Sequence, residues 1–160
     1  MAKVVGIGKQ RFDKIIENDC FYIDKTMFIK EWWENQDDVT LITRPRRFGK
    51  TLNMDMLKCF FSVEYKDRGE LFEGLDIWKE KKYREIQGTY PVIFMSFAGI
   101  KSHTFRDAKN DMVAIINETY KSHAYLLESD ILSEAEKNFF KKLDEYSKDI
   151  NANKNISSET

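Results

Sequence analysis

The residues best suited to chemistry form one octet of the sequence, RPRRFGKT, at residues 44–51. A phosphate-binding loop usually has a glycine, four further residues and then Gly-Lys-Ser/Thr. Gly49, Lys50 and Thr51 match the second half of that pattern, and Arg44 stands where the first glycine is usual. The octet is therefore a variant P-loop, and its chemistry would be the binding of nucleotide phosphates.

Each matching residue has a separate predicted role. Gly49 can take the backbone conformation that turns successive N–H groups onto an anion, next to the positive end of a helix dipole. Lys50 is expected to reach the outer phosphates, and the Thr51 hydroxyl to bind Mg²⁺, which prefers oxygen ligands. The pattern thus predicts ATP and Mg²⁺ as cofactors, Thr51 as the metal ligand, and these cofactor-binding residues: Arg44, Arg46, Arg47, Phe48, Gly49, Lys50 and Thr51.

The elements around the octet should position it. An apolar β-branched run at residues 39–43 predicts a strand before the loop, and an amphipathic helical pattern follows it. A second apolar run at residues 92–97 is continuous enough to predict a strand covered on both faces. Two buried strands separated by helices predict an α/β fold.

The last third of the chain is predicted to be helical. Thr104 with Asp107, and Ser133 with Glu136 in a full capping box, would begin two amphipathic helices. The polar tail at residues 151–160 is expected to be disordered, which leaves residues 1–150 as one globular domain.

Composition limits the function classes. The net charge of -1 excludes a generally basic surface for coating nucleic acid, so the positive charge that matters is the local one around Gly49. The chain has no run long enough for a membrane span and no signal peptide pattern, so we expect a cytoplasmic protein without a membrane partner. Cys20 and Cys59 are expected to be reduced packing residues.

Four segments together resemble a known family. They are FYIDKT at residues 21–26, the octet at residues 44–51, LFEGL at residues 71–75 and YPVI at residues 90–93. Their order and spacing are similar to those in the N-terminal part of the bacterial AAA-ATPase-like proteins. The form RPRRFGKT is itself typical of that family, which accounts for Arg44.

The resemblance implies a P-loop NTPase-like, AAA-related fold, here a partial three-layer domain. Family members usually carry a restriction-endonuclease-like nuclease domain after it, through which alone nucleic acid would be a partner. They also have an aliphatic strand ending in adjacent Asp and Glu, the Walker B strand, which holds Mg²⁺ and polarises the attacking water. Nothing in residues 1–160 matches that strand or the nuclease domain, so the catalytic residues stay unknown.

The sequence therefore favours ATP binding through the variant P-loop, with little or no hydrolysis by this chain alone. Two alternatives stay open. The basic loop from Arg44 to Lys50 could contact another anion or nucleic acid, with steep salt dependence and no need for Mg²⁺. The chain could also be a protein-interaction module or form a homo-oligomer through surfaces that missing elements would cover.

Overall fold

The computed structural model describes residues 3–45, 47–143 and 145. They divide between two compact units, Met1–Val92 and Ile93–Thr160. The α-helices are α1 (Phe12–Glu17), α2 (Met27–Asn35), α3 (Lys50–Phe61), α4 (Lys81–Ile86), α5 (Phe105–Ser122) and α6 (134–143). Short 3₁₀ helices lie at Val63–Tyr65, Gly69–Phe72, Asp76–Lys79 and Ala124–Glu128.

The prediction of an α/β fold with a P-loop NTPase-like, three-layer arrangement is wrong for the part of the chain that the structure describes. That part is mostly helical and contains no strand or sheet. Its β-type pairing consists of two isolated bridges, Val4 with Cys20 and Ser62 with Tyr90. The AAA-type architecture that the family resemblance implied is therefore not the architecture of these residues.

The physical reason lies in what an apolar run can specify. A β-branched run favours an extended backbone, but a strand also needs a neighbour that completes its hydrogen bonds. Residues 39–43 and 92–97 have no such ladder. Val39 is 86% exposed, Leu41 82% and Ile93 71%, whereas the second run was expected to be covered on both faces. The two apolar runs therefore do not form the strands that their composition predicted.

The first unit has an aromatic core between its helices. Phe12 of α1 stacks on Phe72 with ring centroids 5.1 Å apart, and Phe60 of α3 meets Phe72 edge-on at 5.0 Å. Trp33 of α2 stacks on Phe61 at 5.3 Å. The aromatic side chains of α2, Phe28, Trp32 and Trp33, therefore pack against this core. Further fully or nearly fully buried members of this core are Ile29, Met56, Cys59, Leu71, Ile77 and Tyr83.

Asp24 and Thr26 join α2 to the 3₁₀ helix Asp76–Lys79. The Asp24 carboxylate accepts the N–H and hydroxyl of Thr26 at 2.8 and 2.7 Å, and the N–H of Asp76 at 2.8 Å. The buried Thr26 hydroxyl in turn accepts the N–H of Ile77 at 3.2 Å. These bonds therefore fix the start of α2 against the start of that 3₁₀ helix.

The second unit contains α5, the short helix Ala124–Glu128 and α6. Thr104 caps α5 by accepting the N–H of Asp107 at 3.1 Å, and Ser133 with Glu136 forms the predicted reciprocal capping box. Both predicted helix starts are confirmed. The expected disorder of residues 151–160 concerns residues outside the described ones. Among the described residues no helix has the length and apolar composition that crossing a membrane requires.

Candidate functional site

A cavity of about 960 Å³ opens at the first turn of α3 in the first unit. Three segments form it, namely residues 5–10, residues 21–23 with Lys25, and residues 47–53, together with Ile15 of α1. Its size lies in the usual range for sites that bind small molecules. The cavity is therefore lined by residues 47–51 of the predicted octet and by two segments from the N-terminal part of the chain.

The octet forms a tight loop that leads into α3. Gly49 has φ +73° and immediately precedes the helix, and Arg47 has φ +69°. A left-handed conformation is easy for glycine, but it strains an arginine by roughly 1 to 2 kcal/mol. The N-cap residue Gly49 has no side chain that could cap the helix, and the first amides of a helix have no partner within the helix and can bond a ligand. The loop geometry is thus that of an anion-binding helix start.

The Lys50 side chain bonds the backbone at the start of this loop. Its ammonium group donates to the Arg44 carbonyl oxygen at 2.5 Å. A neutral carbonyl oxygen attracts an ammonium group less strongly than a negatively charged phosphate oxygen does. Lys50 is therefore held beside the loop by a contact that an anionic ligand can replace.

The cavity is positively charged although the chain is not. Lys9, Lys25, Arg47 and Lys50 line it, and no carboxylate stands among the lining residues that the structure describes. Lys9 also donates to the Cys20 sulfur at 3.3 Å. With a net charge of -1 for the whole chain, this concentration of cations is local. The electrostatics of the cavity suit an anion.

The cavity also has an apolar and accessible wall, formed by Ile7, Phe21 and Ile23. Ile7 is 92% exposed, Ile23 65% and Phe21 55%. Tyr22 lies deeper, and its hydroxyl meets the Met56 sulfur at 3.4 Å. Burial raises the pKa of Tyr22 to about 12, so its phenol stays neutral. The cavity thus combines cationic side chains with apolar and aromatic ones.

Contacts between α1 and α3 set the position of that wall. The N–H of Phe12 donates to the buried Asp55 carboxylate at 2.6 Å. Burial raises the pKa of Asp55. Next to it, Asp13 forms an ion pair with Arg11 and accepts the Lys14 N–H at 2.7 Å. Burial opposes ionisation of Asp13, but these hydrogen bonds outweigh it and lower the pKa of Asp13.

The structure brings together most of the residues predicted from the octet. Arg47, Phe48, Gly49, Lys50 and Thr51 all line the cavity. Arg44 does not line it, but its carbonyl holds Lys50. Arg46 lies outside the described residues. For Thr51, the predicted metal ligand, the structure gives an exposed side chain at the first turn of α3.

Sequence reasoning missed the other half of the cavity. Lys9 and Gln10 reach it from a segment without a recognised motif, and Lys25 reaches it from FYIDKT, to which the sequence assigned no binding role. The turn at Gly6-Ile7-Gly8 was visible in the sequence, but nothing in it indicated that α1 would bring it to the octet. Only the contacts of the folded chain reveal this.

No group of three or more His, Cys, Asp or Glu side chains in the described part of the chain is arranged to hold a metal ion. Cys20 and Cys59 are free and buried. Burial, with the nearby Asp55 charge, raises the pKa of Cys59 to about 12, so this thiol is not a reactive nucleophile.

Comparison with known proteins assigns the family. The chain matches the model of the AAA-ATPase-like family, described as "Predicted AAA-ATPase", over residues 6–157, and it belongs to that family. It is also 36% identical over 109 residues to "Uncharacterized protein in vnfD 5'region" of Azotobacter chroococcum. That alignment covers 68% of this chain and 19% of the relative, so the chain matches about a fifth of the relative's length. No solved structure matches the chain.

Proposed function

We propose that the cavity at the start of α3 binds a nucleoside triphosphate, with ATP as the expected ligand, together with Mg²⁺. One observation carries the proposal. The open amides of α3, Lys50 and Thr51 meet a cavity with four cationic side chains and no carboxylate among its described lining residues. The AAA-ATPase-like family name supports the same ligand class.

The phosphates would lie at the loop. The N–H groups at the first turn of α3 and the helix dipole stabilise negative charge at one point. Lys50 would leave the Arg44 carbonyl for the outer phosphates, and Arg47 would add a second charge at the rim. These groups recognise a phosphate chain and carry no information about the base.

Thr51 fits the Mg²⁺ that accompanies a triphosphate. Mg²⁺ in such sites takes few oxygen ligands from the protein and the rest from phosphates and water. Thr51 supplies one exposed hydroxyl at the loop, which matches this limited need. When bound, Mg²⁺ would neutralise part of the phosphate charge.

The apolar wall favours a nucleoside over a simple phosphate ion. Ile7, Phe21 and Ile23 offer apolar surface that inorganic phosphate would leave uncovered. A base and a ribose would bury part of it, with a gain of roughly 25 cal/mol per Å² of apolar area. The cavity thus has a place for each half of a nucleotide.

We expect binding with little or no turnover by this chain alone. Phosphoryl transfer to water needs a group that orients the attacking water, in addition to charge stabilisation. The described cavity lining supplies cations and amides for the second need. Asp24 lies between the lining residues Ile23 and Lys25, but its carboxylate oxygens already accept hydrogen bonds from Thr26 and Asp76.

A second candidate follows from the exposure of the basic loop. Arg44 and Arg47 are both exposed, so the loop could contact the phosphates of a nucleic acid instead. That binding would fall steeply with salt and would not require Mg²⁺. Binding of ATP in the cavity should show the opposite dependence on Mg²⁺.

Titration of the chain with fluorescently labelled ATP and Mg²⁺ tests the proposal. We expect saturable binding that Lys50→Ala weakens by at least about tenfold, because a hydrogen bond to a charged group contributes roughly 1.5 to 3 kcal/mol. Lys81→Ala, which removes an exposed lysine of the same unit outside the cavity, is the matched control and should bind normally. Equal affinities of the wild type and Lys50→Ala would overturn the proposal.

A further inference from the structure

Asp55 makes a bond that joins α3 to α1. It is 8% exposed, and its carboxylate accepts the N–H of Phe12, the first residue of α1, at 2.6 Å. Arg11, the residue before α1, provides no side-chain cap. Asp55 therefore caps α1 from another helix and supplies the acceptor that the local sequence lacks.

This cap controls a wall of the cavity. Residues 5–10, which line the cavity, end directly before the N-cap residue of α1, and Ile15 within α1 lines it as well. At their other end, the Val4 carbonyl accepts the N–H of Phe21 at 2.8 Å. The segment is thus fastened at Val4 and at Phe12, and the second fastening depends on Asp55.

The phosphate loop and the wall share one helix. Thr51 opens the first turn of α3, and Asp55 follows it by four residues, one turn along the same side of the helix. A six-residue helix such as α1 is too short to be stable alone, so its position comes from tertiary contacts. The bond from Phe12 to Asp55 therefore links α3 to the end of residues 5–10, which line the cavity.

We propose that Asp55 is a positioning residue of the nucleotide site, which holds residues 5–10 at the distance from the phosphate loop that a bound nucleoside requires. This proposal rests on the proposed function. Its specific consequence is that Asp55 affects the nucleoside half of the ligand and not the phosphate half, since residues 5–10 lead into α1 whereas the phosphate loop leads into α3.

Two probes separate these halves, Mg²⁺-ATP and inorganic tripolyphosphate with Mg²⁺, each titrated by calorimetry into the full chain. Asp55→Ala should weaken Mg²⁺-ATP on the order of tenfold through the loss of a preorganised wall, and leave tripolyphosphate unchanged. Asp55→Asn keeps an oxygen acceptor and should restore the affinity for Mg²⁺-ATP. Lys50→Ala should weaken both probes.

Gln87→Ala is the matched control for stability. Gln87 is 8% exposed and donates to the Tyr65 carbonyl at 2.7 Å, a buried long-range bond of the same kind outside the cavity. This variant should melt earlier and bind both probes normally. If Asp55→Ala does not fold, Asp55→Leu, which fills a similar space without an acceptor, takes its place.

The outcomes distinguish the two claims. Lys50-dependent binding of Mg²⁺-ATP that is indifferent to the loss of the Asp55 acceptor overturns the positioning role alone. So does an equal loss for both probes, or an Asp55→Asn variant as weak as Asp55→Ala. No binding of Mg²⁺-ATP by the wild type, or binding indifferent to Lys50, overturns the proposed function and the positioning role with it.

Discussion

The two units of the chain both contain large apolar side chains, but they differ in how many of these side chains are buried. In the unit Met1–Val92, side chains from four α-helices and several 3₁₀ helices form one aromatic core. Among the described residues of the unit Ile93–Thr160, only Asn117 and Phe140 are buried. Buried apolar area is the main source of stability, so we infer that the first unit is the more stable one.

The helices of the two units also depend on different contacts. The 18-residue α5 begins at its own Thr104 cap and is long enough to gain from local signals. The six-residue α1 is capped by Asp55 from a helix 43 residues along the chain. The cavity therefore lies in the unit where α1 depends on a long-range contact, whereas α5 of the second unit begins at a local signal.

A core truncation should show the largest difference between the units. Phe60 is fully buried and packs against Phe61 and Phe72, so Phe60→Ala should cost about 3 to 5 kcal/mol of unfolding free energy. The same change at Phe139, 57% exposed in the second unit, should cost no more than about 0.5 kcal/mol. Urea denaturation followed by circular dichroism measures both, and similar losses would contradict the comparison.

Removal of the Asp24 carboxylate should have a smaller effect. Asp24→Ala leaves the N–H groups of Thr26 and Asp76 without this partner, and we expect a loss of about 1 to 3 kcal/mol across the first unit. Thr104→Ala, the local counterpart in the second unit, should fray only the first turn of α5. Hydrogen exchange resolves the two patterns. Equally local effects would show that Asp24 is not a long-range clamp.

The smallest expected effect is a change in pH dependence. Since the pKa of Asp13 is lowered in the folded state, its contribution is present above its unfolded value of about 4 and is lost as the pH falls through the folded value. Asp13→Asn should therefore reduce stability more at pH 7 than at pH 3. Asp55, whose pKa is raised, should show the opposite sign on substitution by Asn. Thermal melts across this range would contradict the assignment if both variants responded alike.

The sequence predicted those parts of the fold that local signals determine. The helix after the octet, the capped start of α5 and the capping box at Ser133 all follow from spacing within a few residues. The strands at residues 39–43 and 92–97 were predicted from composition alone and do not form a ladder. A strand depends on a partner elsewhere in the chain, and a single apolar run contains no information about that partner.

The candidate site divides in the same way. Gly49, Lys50 and Thr51 are consecutive, so the sequence alone located the loop that they form. Residues 5–10 end beside the bond between Phe12 and Asp55, which no periodicity or motif reveals. The motif at Asp24 and Thr26 was recognisable as a pattern, but its bonds to Asp76 and Ile77 required the fold.

Hydrogen exchange with and without saturating Mg²⁺-ATP tests the central claim most directly, because it reports on the loop, the wall and the second unit in one measurement. If nucleotide binds in this cavity, we predict slower exchange in peptides that cover residues 5–10 and 47–53, and unchanged exchange in α5 at Phe105–Ser122. Unchanged exchange at residues 47–53, or protection that falls on α5 instead, would contradict the assignment of nucleotide binding to this cavity.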